Sequence, residues 1–193
     1  MKSVLMSIAP KWCEPIANGK KTIEIRKTKP KLEAPFKCYI YCTKLTNLPL
    51  KEYVEIHSKT GGSVDNWSGK VIGEFVCDEV FAIGANASGH EYIEEISCLS
   101  HKELENYQGD KICLWGWHIS KLKIYDEPKE LSEFNKPCDF NYDCFLCDRA
   151  VYDKKVITDI SGKITKVNNK FIACDDVKTR PPHSWCYVES VIE

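Results

Sequence analysis

The sequence predicts an α+β fold: a small, mostly antiparallel β-barrel flanked by short helices, with an inserted cysteine-rich hairpin region. Three observations predict it. Strand-like runs outnumber helical ones. The links between strands are irregular, whereas a doubly wound parallel sheet needs regular strand–helix alternation. Residues 137–178 differ from the rest in composition, with four cysteines and two turn signals, Ser161-Gly162 and Asn168-Asn169.

The elements follow in order. Residues 2–8 read as a short strand. Pro10 suits a first helical position and Gly19 a terminator, so a short helix lies between them, limited by Pro15. Residues 22–26 alternate, with Ile23 and Ile25 on one face and Thr22, Glu24 and Arg26 on the other. Residues 36–43 are apolar on both faces, as a central buried strand requires. Residues 44–69 read as a loop, broken by Gly61-Gly62 and Asn66. Residues 70–83 read as one long strand. Two helices follow, each opened by a Ser-x-x-Glu capping box, at Ser88 and at Ser100. Residues 111–125 give the strongest strand signal, and residues 128–134 one helical turn. The two turn signals between 137 and 178 predict small hairpins, and residues 185–192 a closing strand. The resulting organisation is a main domain over 1–136, an insertion over 137–178, and a return over 179–193.

Composition sets the class. Of 193 residues, 43% are hydrophobic and 28% charged, ordinary for a soluble globular chain. No apolar run approaches the ~20 residues of a membrane span. The opening decapeptide is too short and polar for a signal peptide. A net charge of −1 argues against a histone-like polyelectrolyte binder. Charge is nonetheless uneven. Residues 1–37 hold nine Lys/Arg against three acids, and residues 74–110 nine acids against one lysine. The basic segment suits a local phosphate contact, or the two segments are solvated faces that balance.

Eleven cysteines, an odd number without a secretory signal, argue against a disulfide framework and for a reducing, cytoplasmic setting. Cys38, Cys42, Cys77 and Cys113 alternate in apolar runs and read as small buried hydrophobes. Cys13 reads as a buried structural thiol, or as a thiol activated by nearby lysines. The cluster of Cys138, Cys144, Cys147 and Cys174 differs. A C-x2-C pair after a C-x5 spacing, with a fourth cysteine across a hairpin, matches a structural zinc site, and zinc would help so small an insertion fold. His183 or Cys186 is an alternative fourth ligand. The competing reading is free thiols in an ordinary hairpin.

The richest constellation is Gly19-Lys20-Lys21-Thr22-Ile23-Glu24-Ile25-Arg26. A helix ends and a strand begins, so Lys21, Glu24 and Arg26 gather at one junction, provided that a bend brings Lys21 to the face of the other two. A carboxylate accepts from exocyclic amines while Arg and Lys donate, so the trio suits a polar heterocycle or a phosphate. The competing reading is a surface ion-pair strip worth little. A carboxylate beside a lysine favours the charged ammonium, which makes binding the easier task and Lys21 a harder nucleophile. Trp115 and Trp117 share a strand face, and at least one reads as core; exposed tryptophans stack bases. His118 reads as structural.

Gly19-x-Lys21-x-x-Glu24-x-Arg26, preceded by Trp12-Cys13-Glu14-Pro15, resembles the signature of the ASCH domain family within the PUA-like superfamily. The strand with Gly73, the Trp115-Gly116-Trp117 run and a closing strand fit its order. Residues 180–189 resemble the ending of a prokaryotic and phage-associated branch. The resemblance implies a cleft lined by Lys21, Glu24 and Arg26, with Trp12 and Trp185 near it, that binds RNA or a nucleoside or nucleotide. One bacterial group in this superfamily hydrolyses N4-acetylcytidine with a Lys, a Thr three residues later and a distant Glu. Here Glu24 replaces the Thr, so Lys21 and Glu24 are the catalytic candidates for such a reaction and the hydroxyl is missing. Glu91, Glu94 and Glu95 are candidates for the distant acid. Two alternatives to RNA or nucleotide binding follow: hydrolysis of an acylated nucleoside, and an interaction module acting through the insertion, which deletion of 137–178 would separate.

Overall fold

The computed structural model describes residues 2–84, 90–134, 150–158, 164–174 and 180–189. Within them lie five α-helices, two 3-10 turns at Leu45–Asn47 and Leu131–Glu133, and ten strands. The strands are β1 (Lys2–Ile8), β2 (Ile23–Arg26), β3 (Phe36–Cys42), β4 (Val71–Cys77), β5 (Val80–Gly84), β6 (Cys113–His118), β7 (Ser120–Lys129), β8 (Ala150–Thr158), β9 (Ile164–Cys174) and β10 (Trp185–Glu189). The helices are α1 (Pro10–Ala17), α2 (Leu50–Lys59), α3 (Ser63–Trp67), α4 (His90–Ser97) and α5 (His101–Gln108).

Five strands pair in the order β10-β1-β3-β4-β7, and three more in the order β2-β6-β5. Only β1 and β3 run parallel; the other pairings are antiparallel. The mixed α+β class and the mostly antiparallel pairing are as expected. The hydrogen-bonded ladder does not close into a barrel, however, but is divided between two sheets.

The apolar pattern of β3 explains its central place. Cys38, Ile40 and Cys42 face one core cluster, with Val4, Met6 and Ile8 of β1 and Cys13 and Ile16 of α1. Tyr39 and Tyr41 face a second cluster with Leu5, Tyr125 and Phe134. A strand whose side chains alternate between two cores must be apolar on both faces. The third cluster joins Ile23 and Ile25 of β2 to Ile83, Leu114 and Leu104 of α5. Burying Ile23 and Ile25 there turns Glu24 and Arg26 to the opposite face.

Two expected long strands each divide. The 70–83 run breaks at Asp78-Glu79 into β4 and β5, and the 111–125 run breaks at Ile119 into β6 and β7; in both cases the halves belong to different sheets. Neighbouring strands thus turn the corner together. The His118 ring nitrogen Nδ1 lies 2.6 Å from Asp78 Oδ1, and the His118 N–H donates to the Glu79 carbonyl at 3.0 Å. Asp78-Glu79 interrupt the apolar alternation at the first corner. At the second the apolar phase shifts from Trp115, Trp117 and Ile119 to Leu122 and Ile124, but neither break tells that the halves join different sheets.

The region 44–69 is not a loop: it holds α2 and α3. Leu50, Tyr53 and Val54 stand at helical spacing, but Ile56 is the one buried residue of α2 while Leu50 and Val54 are exposed, so the apolar stripe is not the face that packs. Gly61-Gly62 does separate the two helices, and Gly62 has φ 87°. The hairpin expected around Ser161-Gly162 agrees with the antiparallel pairing of β8 and β9. Asn168-Asn169, by contrast, is no turn: it lies within β9, opposite Lys155 and Lys154. At α5 the capping box is present, with Ser100 N–H donating to Glu103 Oε2 at 3.0 Å and Glu103 N–H to Ser100 Oγ at 3.4 Å. Ser88 lies outside the described residues.

Candidate nucleobase site

The site begins where α1 ends. Gly19 has φ 75°, and the chain turns back so that the Lys21 N–H donates to the Pro15 carbonyl at 2.8 Å. This is the bend that an ideal strand lacked. It brings Lys21 to the side of β2 that carries Glu24 and Arg26. The C-terminal end of α4 closes over the turn: Thr22 N–H donates to Ile96 O at 2.9 Å, and Lys21 Nζ donates to Ser97 O at 2.7 Å. The ammonium thus meets a carbonyl at a helix C-terminus, the end of a helix that favours cations, although Lys21 is only 2% exposed.

Glu24 is bracketed by two cations. Lys21 Nζ stands 3.4 Å from Glu24 Oε2, and Arg26 NH2 stands 3.0 Å from Glu24 Oε1. Arg26 also donates to Ser7 O at 2.6 Å and to Ser184 Oγ at 3.2 Å. It therefore ties β2 to the end of β1 and to the segment entering β10. Glu24 and Arg26 are each 7% exposed. The surface ion-pair reading is thereby excluded; this is a buried network of two cations and one anion, with one positive charge in excess.

Beside it lies a cavity of about 530 Å³, of a size that suits a small ligand. Lys21, Glu24 and Arg26 line it, Trp12 of α1 forms a wall, and Glu103, Asn106 and Tyr107 of α5 line it too. Those α5 positions are three and four apart and share one helical face, while Leu104 turns to the core. Glu24 Oε2 is buried and has no hydrogen-bond partner, because Lys21 meets it in ion-pair rather than hydrogen-bond geometry. A buried carboxylate oxygen without a hydrogen bond is costly, and this acceptor belongs to a residue that lines the cavity. Burial pushes the Tyr107 phenol above its ordinary value, with the Arg26 guanidinium opposing. Its hydroxyl is thus a neutral donor at physiological pH. The Ser100 backbone N–H holds the Glu103 carboxyl below its usual range, and Lys11 Nζ pairs with it at 3.7 Å.

The structure brings Lys21, Glu24, Arg26 and Trp12 together as expected, with Lys21 Nζ 5.4 Å from the Trp12 ring centroid. Glu91, Glu94 and Glu95 do not line this cavity; the further acid is Glu103. Trp117 is fully buried, whereas Trp115 is half-buried under Lys29, whose Nζ is 4.2 Å from its ring centroid. Burial raises the Cys13 thiol well above its ordinary value, so it is a structural thiol rather than an activated one. Cys38, Cys42 and Cys77 are buried as expected, while Cys113 is half-buried. Cys138, Cys144 and Cys147 lie outside the described residues, and only the backbone is described for Cys174. Among the described residues no three His, Cys, Asp or Glu side chains gather as a metal site. None of the described helices is long and apolar enough to cross a membrane. Sequence reasoning missed Glu103, Asn106, Tyr107 and His183; the capping box marked the start of α5, but nothing marked which face meets the cavity.

No family model and no curated protein matches the sequence. Solved structures do match the fold. The crystal structure of ASCH from Zymomonas mobilis is 18% identical, over 67% of this chain and 73% of that one, with a TM-score of 0.50. Two single-residue variants of the same protein match at 18% and 19% identity, over 68% and 67% of this chain and 77% and 74% of theirs, each with a TM-score of 0.50. The fold is thus that of these ASCH structures.

Proposed function

We propose that this chain is an RNA- or nucleoside-binding module that takes one nucleobase into the cavity at Lys21, Glu24 and Arg26. The observation that carries the reading is Glu24 Oε2, a buried acceptor without a hydrogen bond, with the Lys21 ammonium 3.4 Å away. Acceptor beside donor complements a base edge that sets an exocyclic amine beside a ring nitrogen or carbonyl. Cytosine, guanine and adenine offer an amine; uracil does not. The Trp12 and Tyr107 rings offer stacking surfaces, and the excess positive charge favours an electron-rich or anionic ligand.

Titration calorimetry with cytidine, guanosine, adenosine and uridine tests this. An amino-bearing nucleoside binds and uridine does not. Glu24→Gln weakens binding at least tenfold, because an amide N–H₂ then confronts the base amine and a hydrogen bond to a charged group, worth about 1.5–3 kcal/mol, is lost. Equal binding by folded wild type and Glu24→Gln would sink the reading. Incubation with N4-acetylcytidine covers the hydrolase alternative: cytidine released above a Lys21→Ala control would replace binding with hydrolysis.

A further inference from the structure

We propose that the loop between β2 and β3 is a track for the phosphodiester backbone of single-stranded RNA, with Lys27, Lys29 and Lys31 contacting successive phosphates outward from the cavity. The proposal rests on the cavity reading for where the strand begins, but its own evidence lies elsewhere. Lys27, Lys29 and Lys31 are all exposed. None forms an ion pair among the described residues. Lys20, Lys51, Lys102 and Lys111 are likewise exposed with no ion pair among the described residues, so what sets these three apart is their alternate spacing along one loop that leads from the cavity.

The loop is also held in place. Trp185 Nε1 donates to Thr28 Oγ1 at 3.0 Å, and the Lys31 N–H donates to the Tyr187 hydroxyl at 2.7 Å. Both aromatics belong to β10, and Pro30 between these anchors is buried. Anchoring the backbone in the free protein reduces the entropy lost on binding. Two of the lysines lie over aromatic rings: Lys27 Nζ is 5.1 Å from the Tyr107 centroid, and Lys29 Nζ is 4.2 Å from that of Trp115. Each ring orients an ammonium and leaves its N–H donors for an anion. Basic side chains interleaved with aromatics are the composition of a single-strand groove.

The track joins the cavity. Lys27 follows Arg26 in the chain and sits on Tyr107, and Arg26 and Tyr107 both line the cavity. The α5 wall runs from Glu103 beside Lys11 to Tyr107 beside Lys27. Helices α4 and α5 carry five glutamates, Glu91, Glu94, Glu95, Glu103 and Glu105, against one lysine, Lys102. A polyanion leaving the cavity is repelled along those helices and drawn to the loop, which fixes its direction of exit.

Fluorescence anisotropy with a labelled ten-nucleotide oligocytidylate RNA, from 50 to 200 mM salt, is the test. Each phosphate neutralised on a single strand adds about 0.7 to the slope of log affinity against log salt, so three contribute about 2. The triple variant Lys27→Gln, Lys29→Gln, Lys31→Gln therefore has a slope shallower by about 2. Across that fourfold salt range it loses about 20-fold less affinity than wild type. Its cytidine affinity and thermal midpoint stay at wild-type values. A control with the same charge change, Lys51→Gln, Lys102→Gln, Lys111→Gln, keeps the wild-type slope. An unchanged slope in the first variant, an equal change in the control, or no oligonucleotide binding by wild type at 50 mM salt overturns the track. If the slope falls as expected while Glu24→Gln still binds cytidine normally, the track stands and the cavity reading fails.

Discussion

Arg26→Ala separates a binding arginine from a structural one. The side chain is 8% exposed and holds three partners at once: Glu24, the Ser7 carbonyl and Ser184. Removal leaves Glu24 Oε1 and the Ser7 carbonyl without that donor and cuts a tie between the two sheets. Breaking a buried ion pair by deleting one partner costs about 3–5 kcal/mol. Glu24 borders a cavity that admits water, so the lower end applies, about 3 kcal/mol, a substantial fraction of the ~5–15 kcal/mol that holds a domain together. With a urea m-value of about 2 kcal/mol/M, the unfolding midpoint falls by about 1.5 M. Arg26→Lys keeps the charge but not the fork, and loses about half as much. Urea unfolding followed by tryptophan fluorescence reads both variants. An Arg26→Ala midpoint within 0.3 M of wild type would show that the network contributes no stability and refute the reasoning. The same geometry makes Glu24→Gln, rather than Arg26→Ala, the informative binding variant.

Gly73→Ala is expected to destabilise by about 2 kcal/mol or more, because an added Cβ would sit 2.5 Å from the Lys123 carbonyl oxygen, and backbone on a paired strand cannot step aside. Gly116→Ala meets the half-buried Phe81 ring at 2.6 Å, which can rotate, so thermal denaturation should show the smaller loss there. Burial raises Glu74, but the Tyr125 hydroxyl and Lys37 ammonium outweigh it and hold its carboxyl below its ordinary value. A depressed carboxylate contributes stability above its unfolded titration range and loses it as pH falls through the folded one. The stability gap between wild type and Glu74→Gln therefore shrinks between pH 7 and pH 3, and a gap independent of pH refutes that account. Elemental analysis decides between the two readings of the cysteine cluster: near-stoichiometric zinc, lost in the double variant Cys144→Ser, Cys147→Ser, supports a structural site, and zinc-free folded protein supports free thiols.

Local chemistry was legible in the sequence where short-range rules decide it. Pro10 and Gly19 bounded α1, Ser100 and Glu103 capped α5, and the two-sided apolar run of 36–42 announced the central strand. The trio at 21, 24 and 26 was visible as a cluster because a helix-to-strand junction confines six residues to one neighbourhood. Other features depended on tertiary structure. The corners at Asp78 and Ile119 show in the sequence only as an interrupted or shifted alternation, which does not tell a bend within one sheet from a change of sheet; strand pairing decides that. Helix α2 buries only Ile56, off the short Leu50, Tyr53 and Val54 stripe that the sequence shows. Burial of Lys21, the Ser7 and Ser184 partners of Arg26, and the α5 wall of Glu103, Asn106 and Tyr107 all join residues distant in the chain. Sequence spacing determined which charges stand together; only packing determined that they are buried, that one positive charge is left over, and that one carboxylate oxygen beside a cavity is left without a hydrogen bond.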